Sequence, residues 1–135
     1  MNVFNQELVN TFTNSSQATP AITVLADGSY VMVWTSSDQD GSGSGVYAQR
    51  FTASGVPTGP EFRVNTTTAS GQSDAAAAAL SSGGFVVTWT DSAQDGSQGI
   101  YAQRYDAAGN AVGGETLVNT YTTSGQWESS VAAYA

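Results

Sequence analysis

Four aspartates sit in two short polar segments, Ser36-Ser37-Asp38-Gln39-Asp40-Gly41-Ser42 and Asp91-Ser92-Ala93-Gln94-Asp95-Gly96-Ser97. Calcium takes roughly six to eight oxygen ligands, and loops of carboxylate, hydroxyl and carbonyl closed by glycine can supply them. Asp38, Asp40, Asp91 and Asp95 are therefore candidate metal ligands, and calcium is the candidate cofactor. The spacing is tighter than the loop of about twelve residues in an EF-hand. Only Asp40 and Asp95 correspond between the segments, because Asp38 falls opposite Ala93. The competing use is a turn, with the Asp carboxylate accepting nearby backbone N–H groups. The same carboxylates make a poor acid and base pair, since a polar loop offers no apolar pocket to raise one pKa.

Other chemistry is excluded by missing residue types. The chain has no histidine, lysine or cysteine. Imidazole acid–base catalysis, thiol nucleophiles, Schiff bases and His/Cys zinc sites are therefore closed to it. Ser and Thr are abundant but have no histidine to activate them. Three arginines stand against eleven acidic residues, a net charge of −8, which leaves no basic footprint for nucleic acid. An enzyme is not expected.

Trp34, Trp89, Tyr47 and Tyr101 could form platforms for sugar rings, and Trp127 stands apart from them because Ala18 and Ser73 occupy its counterpart positions. Alternation within strands favours core burial for the first four, since large aromatics in repeats fill interfaces. Arg50 and Arg104 close apolar strands in equivalent places. A repeated arginine there forms an ion pair, with Glu61 and Glu115 as natural partners, or binds carbonyls between units.

The elements that must position these side chains recur. Glutamates stand at 7, 61 and 115, each near a Val-Asn-Thr triplet and 54 residues apart. Val33-Trp34-Thr35 returns as Thr88-Trp89-Thr90, and Gln39-Asp40-Gly41-Ser42 as Gln94-Asp95-Gly96-Ser97. Gly45-Val46-Tyr47-Ala48-Gln49-Arg50-Phe51 returns as Gly99-Ile100-Tyr101-Ala102-Gln103-Arg104-Tyr105. The interval drops from 55 to 54 across the glycine-rich loop, where repeats tolerate length change.

Each unit reads as β throughout. Asp27-Gly28 and Ser82-Gly83-Gly84 mark hairpin turns. Five alanines at 75–79 favour helix by propensity, but their counterparts Ala21-Ile22-Thr23-Val24-Leu25 and Ser130-Val131-Ala132-Ala133-Tyr134 argue for strand. Tyr30, Met32 and Trp34 share one face of their strand and Val31 and Val33 the other. Both faces are apolar, so the strand is expected to be covered on both sides. The expected fold is all-β, repeated four-stranded antiparallel meanders packed as β-propeller-like blades, with a β-sandwich as the alternative. The expected divisions are a leading strand in 1–12 (Val3 to Phe12), repeats at 13–66 and 67–120, and the start of a third at 121–135. A propeller needs about four to eight blades, so the units are expected to join further copies or neighbouring repeats.

The motif from Trp34-Thr35 through Gln39-Asp40-Gly41-Ser42, Tyr47-Ala48-Gln49-Arg50 and Glu61 to Asn65-Thr66, with its second copy, resembles repeats of large bacterial secreted and surface proteins. Those proteins often carry hemolysin-type (RTX) or cadherin-like modules as well. The resemblance implies an extracellular, propeller-like, non-enzymatic region with an adhesive role, and it brings no settled ligand; a glycan or another surface component is the expected one. The RTX nonapeptide is absent, so its calcium chemistry does not carry over. Self-assembly into an oligomeric propeller or fibre is the alternative. No apolar run reaches the roughly 20 residues of a membrane helix, and Met1 to Gln6 lacks the pattern of a signal peptide.

Overall fold

The turn signals lie where the chain reverses. Gly28, Gly55, Gly83 and Gly109 all sit at φ between 82 and 90°, a left-handed conformation that glycine adopts without a Cβ penalty. The computed structural model describes residues 6–133. It contains eight strands: β1 (Gln17–Val24), β2 (Tyr30–Ser37), β3 (Ser44–Phe51), β4 (Pro57–Arg63), β5 (Gln72–Ala79), β6 (Phe85–Asp91), β7 (Gly99–Tyr105) and β8 (Ala111–Leu117). They form two four-stranded antiparallel meanders, β1 to β4 and β5 to β8, each in sequence order. The all-β expectation holds, and the alanine run is strand β5. Its helix propensity, a fraction of a kcal/mol per residue, loses to a ladder with β6 that pairs Ala76 to Ala79.

The repeat extends to irregularities. The β1/β2 register slips between Ala18 and Ala21, and the β5/β6 register between Ser73 and Ala76. Thr19 and Asp74, non-glycine residues at φ 49 and 55°, mark those slips. Glu128 takes the same conformation at φ 58°, so the segment after Asn119 begins as β1 and β5 do. Residues 6–12 and 126–133 are not in strands. The expected leading strand thus lies partly outside the described residues and is otherwise irregular. The same holds for the strand expected over Ser130–Tyr134.

The core joins unlike faces. Trp89, Val87, Phe85, Tyr101 and Tyr105, all on one face of the second sheet, pack on Val31, Val33, Val46 and Ala48 of the first. The repeat counterparts of the former are Trp34, Met32, Tyr30, Tyr47 and Phe51, on the opposite face of the first sheet. Each sheet therefore has an aromatic face and a valine face, and the aromatic face of one covers the valine face of the other. Small side chains let this happen, because β5, with its alanines, runs across β1, β2 and β3. Tyr30 stacks on Phe51 at 5.0 Å, and their counterparts Phe85 and Tyr105 stack at 4.7 Å. Phe62 of the first sheet meets Tyr105 at 5.5 Å with the rings tilted by 59°.

Candidate functional site

The repeated polar residues converge on the junction between units. Asn65 is buried between β4 and β5. Its Oδ1 accepts from the Val46 N–H at 2.7 Å, and its Nδ2 donates to the Thr67 carbonyl at 2.8 Å and to Gln72 Oε1 at 3.0 Å. Asn119 repeats this set with Ile100, Tyr121 and Gln126, and Asn10 repeats the two donations to Phe12 and Gln17. The chain leaves a fourth strand, turns and starts the next sheet, and one amide side chain supplies the hydrogen bonds the turn lacks.

The glutamates bridge the same junction. Glu115 Oε2 accepts from the backbone N–H and hydroxyl of Thr66 at 2.8 and 2.9 Å, while Oε1 accepts from the Thr67 hydroxyl at 3.1 Å. Glu61 does the same with Thr11, at 2.7 and 3.1 Å, and also accepts from Gln39. Burial pushes the Glu115 carboxyl up, but hydrogen bonds from Thr66, Gln94 and Thr67 together hold it below its ordinary value. The asparagine pattern also corrects a register. Asn10 is the counterpart of Asn65, so Gln6, not Glu7, falls on Glu61. Glu61 and Glu115 are equivalent sites, and Glu7, despite its equal spacing, is not.

Arg50 reaches the other unit. From β3 it donates to the carbonyls of Ala107, at 2.8 Å, and Ala108 in the turn between β7 and β8. Gly109 lies directly under the guanidinium, where a Cβ would collide with it. Of the two partners expected for this arginine, the structure places it on carbonyls, while Glu61 turns to Thr11. Arg104, its counterpart, is exposed on the valine face of the second sheet.

The four aspartates do three different jobs. Asp40 and Asp95 form matching turns, each accepting through Oδ1 from the N–H two residues on, Ser42 at 3.1 Å and Ser97 at 3.2 Å. Their Oδ2 atoms are buried without a hydrogen-bond partner, against Gly45 and Gly99, where a Cβ would stand 2.8 and 3.0 Å away. This close approach accounts for the two repeated glycines. Asp91 is buried, accepting from Ala93 and Gln94 N–H groups at 2.9 and 2.7 Å and from Gln72 at 2.8 Å. Ser36 holds the corresponding place in the first unit, which is why the Asp pattern breaks there. Asp38 is exposed and accepts from the Ser15 hydroxyl. Among the described residues, no three His, Cys, Asp or Glu side chains are grouped to hold a metal ion.

Trp34, Trp89, Tyr47 and Tyr101 are all buried, so they present no open platform to a sugar. Trp89 stacks on Tyr101 at 6.4 Å. Burial, then Asp95, Asp91 and Glu115, raise the Tyr101 phenol. Burial, then Asp40, raise that of Tyr47 against the opposing Arg63. Trp127 is 59% exposed. A groove of about 290 Å³ runs over the aromatic face of the first sheet, between Leu8, Val9, Pro20, Met32 and Trp34.

What the sequence reading missed is Gln17, Gln72 and Gln126. Each lies seven residues after its junction asparagine, and that spacing was the available signal. Comparison with protein-family models, with curated proteins and with solved structures finds no match to this chain. Among the described residues, no helix is long and apolar enough to cross a membrane.

Proposed function

We propose that this chain is a non-catalytic structural repeat module whose four-stranded units stack as blades of a propeller-like array in a bacterial extracellular or surface protein. The observation that carries the reading is the pairing of an aromatic face with a valine face. A closed β-sandwich buries one face of each sheet and leaves the others to water. Here both faces of each sheet carry the residues of an interface, which is the pattern of units that continue in both directions. The Arg50, Glu115 and Asn65 contacts support it, because each ties one unit to the next. The absence of histidine, lysine and cysteine supports a non-catalytic role, and the low share of charged residues, 10%, suits an extracellular repeat.

The test is to lengthen the array. Inserting a further copy of residues 67–120 after Thr120 adds one unit and one interface. Stacking units melt together at a higher midpoint than the parent chain, as nearest-neighbour coupling requires. An unchanged midpoint, or a separate second transition, would refute stacking. An adhesive reading rests on exposed Trp127 alone. A glycan that quenches its fluorescence and loses binding in Trp127→Ala would establish it.

A further inference from the structure

The interface inside the chain joins two kinds of surface that both recur on the outer faces of the two sheets, where irregular segments of the same chain cover them in part. We propose that a second copy of this chain docks head-to-tail, the aromatic face of its first sheet on the valine face of the second sheet here. The inference rests on the stacking reading above and names its partner.

Three pairs of equivalent residues show where the outer faces stay exposed. Val64 is 2% exposed beneath the following unit, whereas its counterpart Val118 is 54% exposed. Ala77, partly buried against the first sheet, has Ile22 as its counterpart, 58% exposed. Arg50 binds the turn at Ala107 and Ala108, whereas Arg104 projects from the equivalent strand position into solvent. The second copy offers Arg104 the matching turn. Ala53 and Ser54 correspond to Ala107 and Ala108, and Gly55 N–H to Thr52 closes that turn at 3.0 Å as Gly109 N–H to Asp106 closes the other.

Two segments occupy places the join would use. Residues 126–133 lie against the second sheet, with the Ser129 hydroxyl donating to Thr88 Oγ1 at 3.0 Å, where β1 of the second copy would sit. Residues 6–12 hold Glu61 through Thr11, where Thr120 of the first copy would sit. Neither segment is in a ladder, while β1 and β8 are. The unladdered segments are released and the laddered ones kept, so Glu61 of the second copy takes Thr120. The charge of −8 on each chain opposes association, so salt, which screens it, strengthens the contact.

The interface is heterologous, and this makes it testable. Light scattering on the intact chain is to be recorded from micromolar to about 1 mM in low and high salt. The expected result is a mass above 13.9 kDa that rises with concentration and salt. Arg104→Glu spoils the tail surface and Ile22→Glu the head surface. Both sites are exposed, so each variant folds, and each raises the dissociation constant about tenfold or more. Mixing the two variants joins the intact head of one to the intact tail of the other and restores a dimer. A strict monomer under all conditions overturns the proposal, as does a mixture that stays monomeric. If the lengthened chain is nevertheless stabilised, units stack within a chain but not between copies. The stacking reading then survives and this one does not.

Discussion

Glu115 Oε2 holds both the backbone N–H and the hydroxyl of Thr66, 49 residues earlier, at 2.8 and 2.9 Å. The carboxylate sits in the second unit and the threonine at the exit of the first. One side chain thus caps the linker and fixes the spacing of two sheets.

Acid weakens this latch in a predictable direction. The Glu115 carboxyl lies below its ordinary value of 4.5, so its contribution to stability is present above that value and lost as pH falls through the folded one. Glu115→Gln removes the charge but keeps an acceptor, and lowers stability at neutral pH by about 1 kcal/mol, discounted for partial exposure. Urea denaturation at stepped pH should show the gap between wild type and variant closing below pH 4.5. A gap that stays constant would remove the carboxylate from the latch.

Asn65 and Asn119 make the same bonds at different depths. Asn65→Ala leaves the buried Val46 N–H and Gln72 amide oxygen without partners, at a cost of about 3 kcal/mol. Asn119→Ala exposes its freed groups to water and costs about 1 kcal/mol. Equal losses in chemical denaturation would contradict the difference in burial.

The two kinds of tryptophan should separate cleanly. Trp89 is fully buried in the core between the sheets, so Trp89→Ala costs about 3–5 kcal/mol. Trp127→Ala changes stability by no more than about 0.5 kcal/mol. Calorimetry on both variants checks this, and a large loss at Trp127 would mean that the tail is structural.

Alkali should find Tyr105 last. Burial, then the Glu115 charge, pushes its phenol up to about 12. Its raised value means a contribution fully present below pH 10 and lost as pH rises through about 12. Tyr105→Phe keeps the stack on Phe85 and should lack that alkaline loss in an ultraviolet titration coupled to denaturation. An unchanged alkaline midpoint would place the cause elsewhere.

Much of the architecture was legible because it is written twice. Period-two alternation at Tyr30 to Trp34 and at Phe85 to Trp89 specifies strands with two apolar faces. The repeated turns place those strands in meanders. Even the alanine run yields to its counterpart at Ala21 to Val24. The junction was half legible. Asparagine, glutamate and threonine stood out as repeated, but which of them pair did not, and Gln72 is an ordinary polar residue in a sequence full of them.

Sequence alone determined the eight strands of the two full units, their order and the residue types excluded from chemistry, because those depend on local pattern and on what is absent. Tertiary structure decided which faces meet, that Arg50 reaches Ala107 and Ala108 instead of Glu61, and that Asp40 and Asp91 serve different ends. The first two outcomes depend on distances between residues some 50 positions apart. Such distances arise only when one sheet settles on another, and alternation along a strand carries no record of which neighbour will cover it.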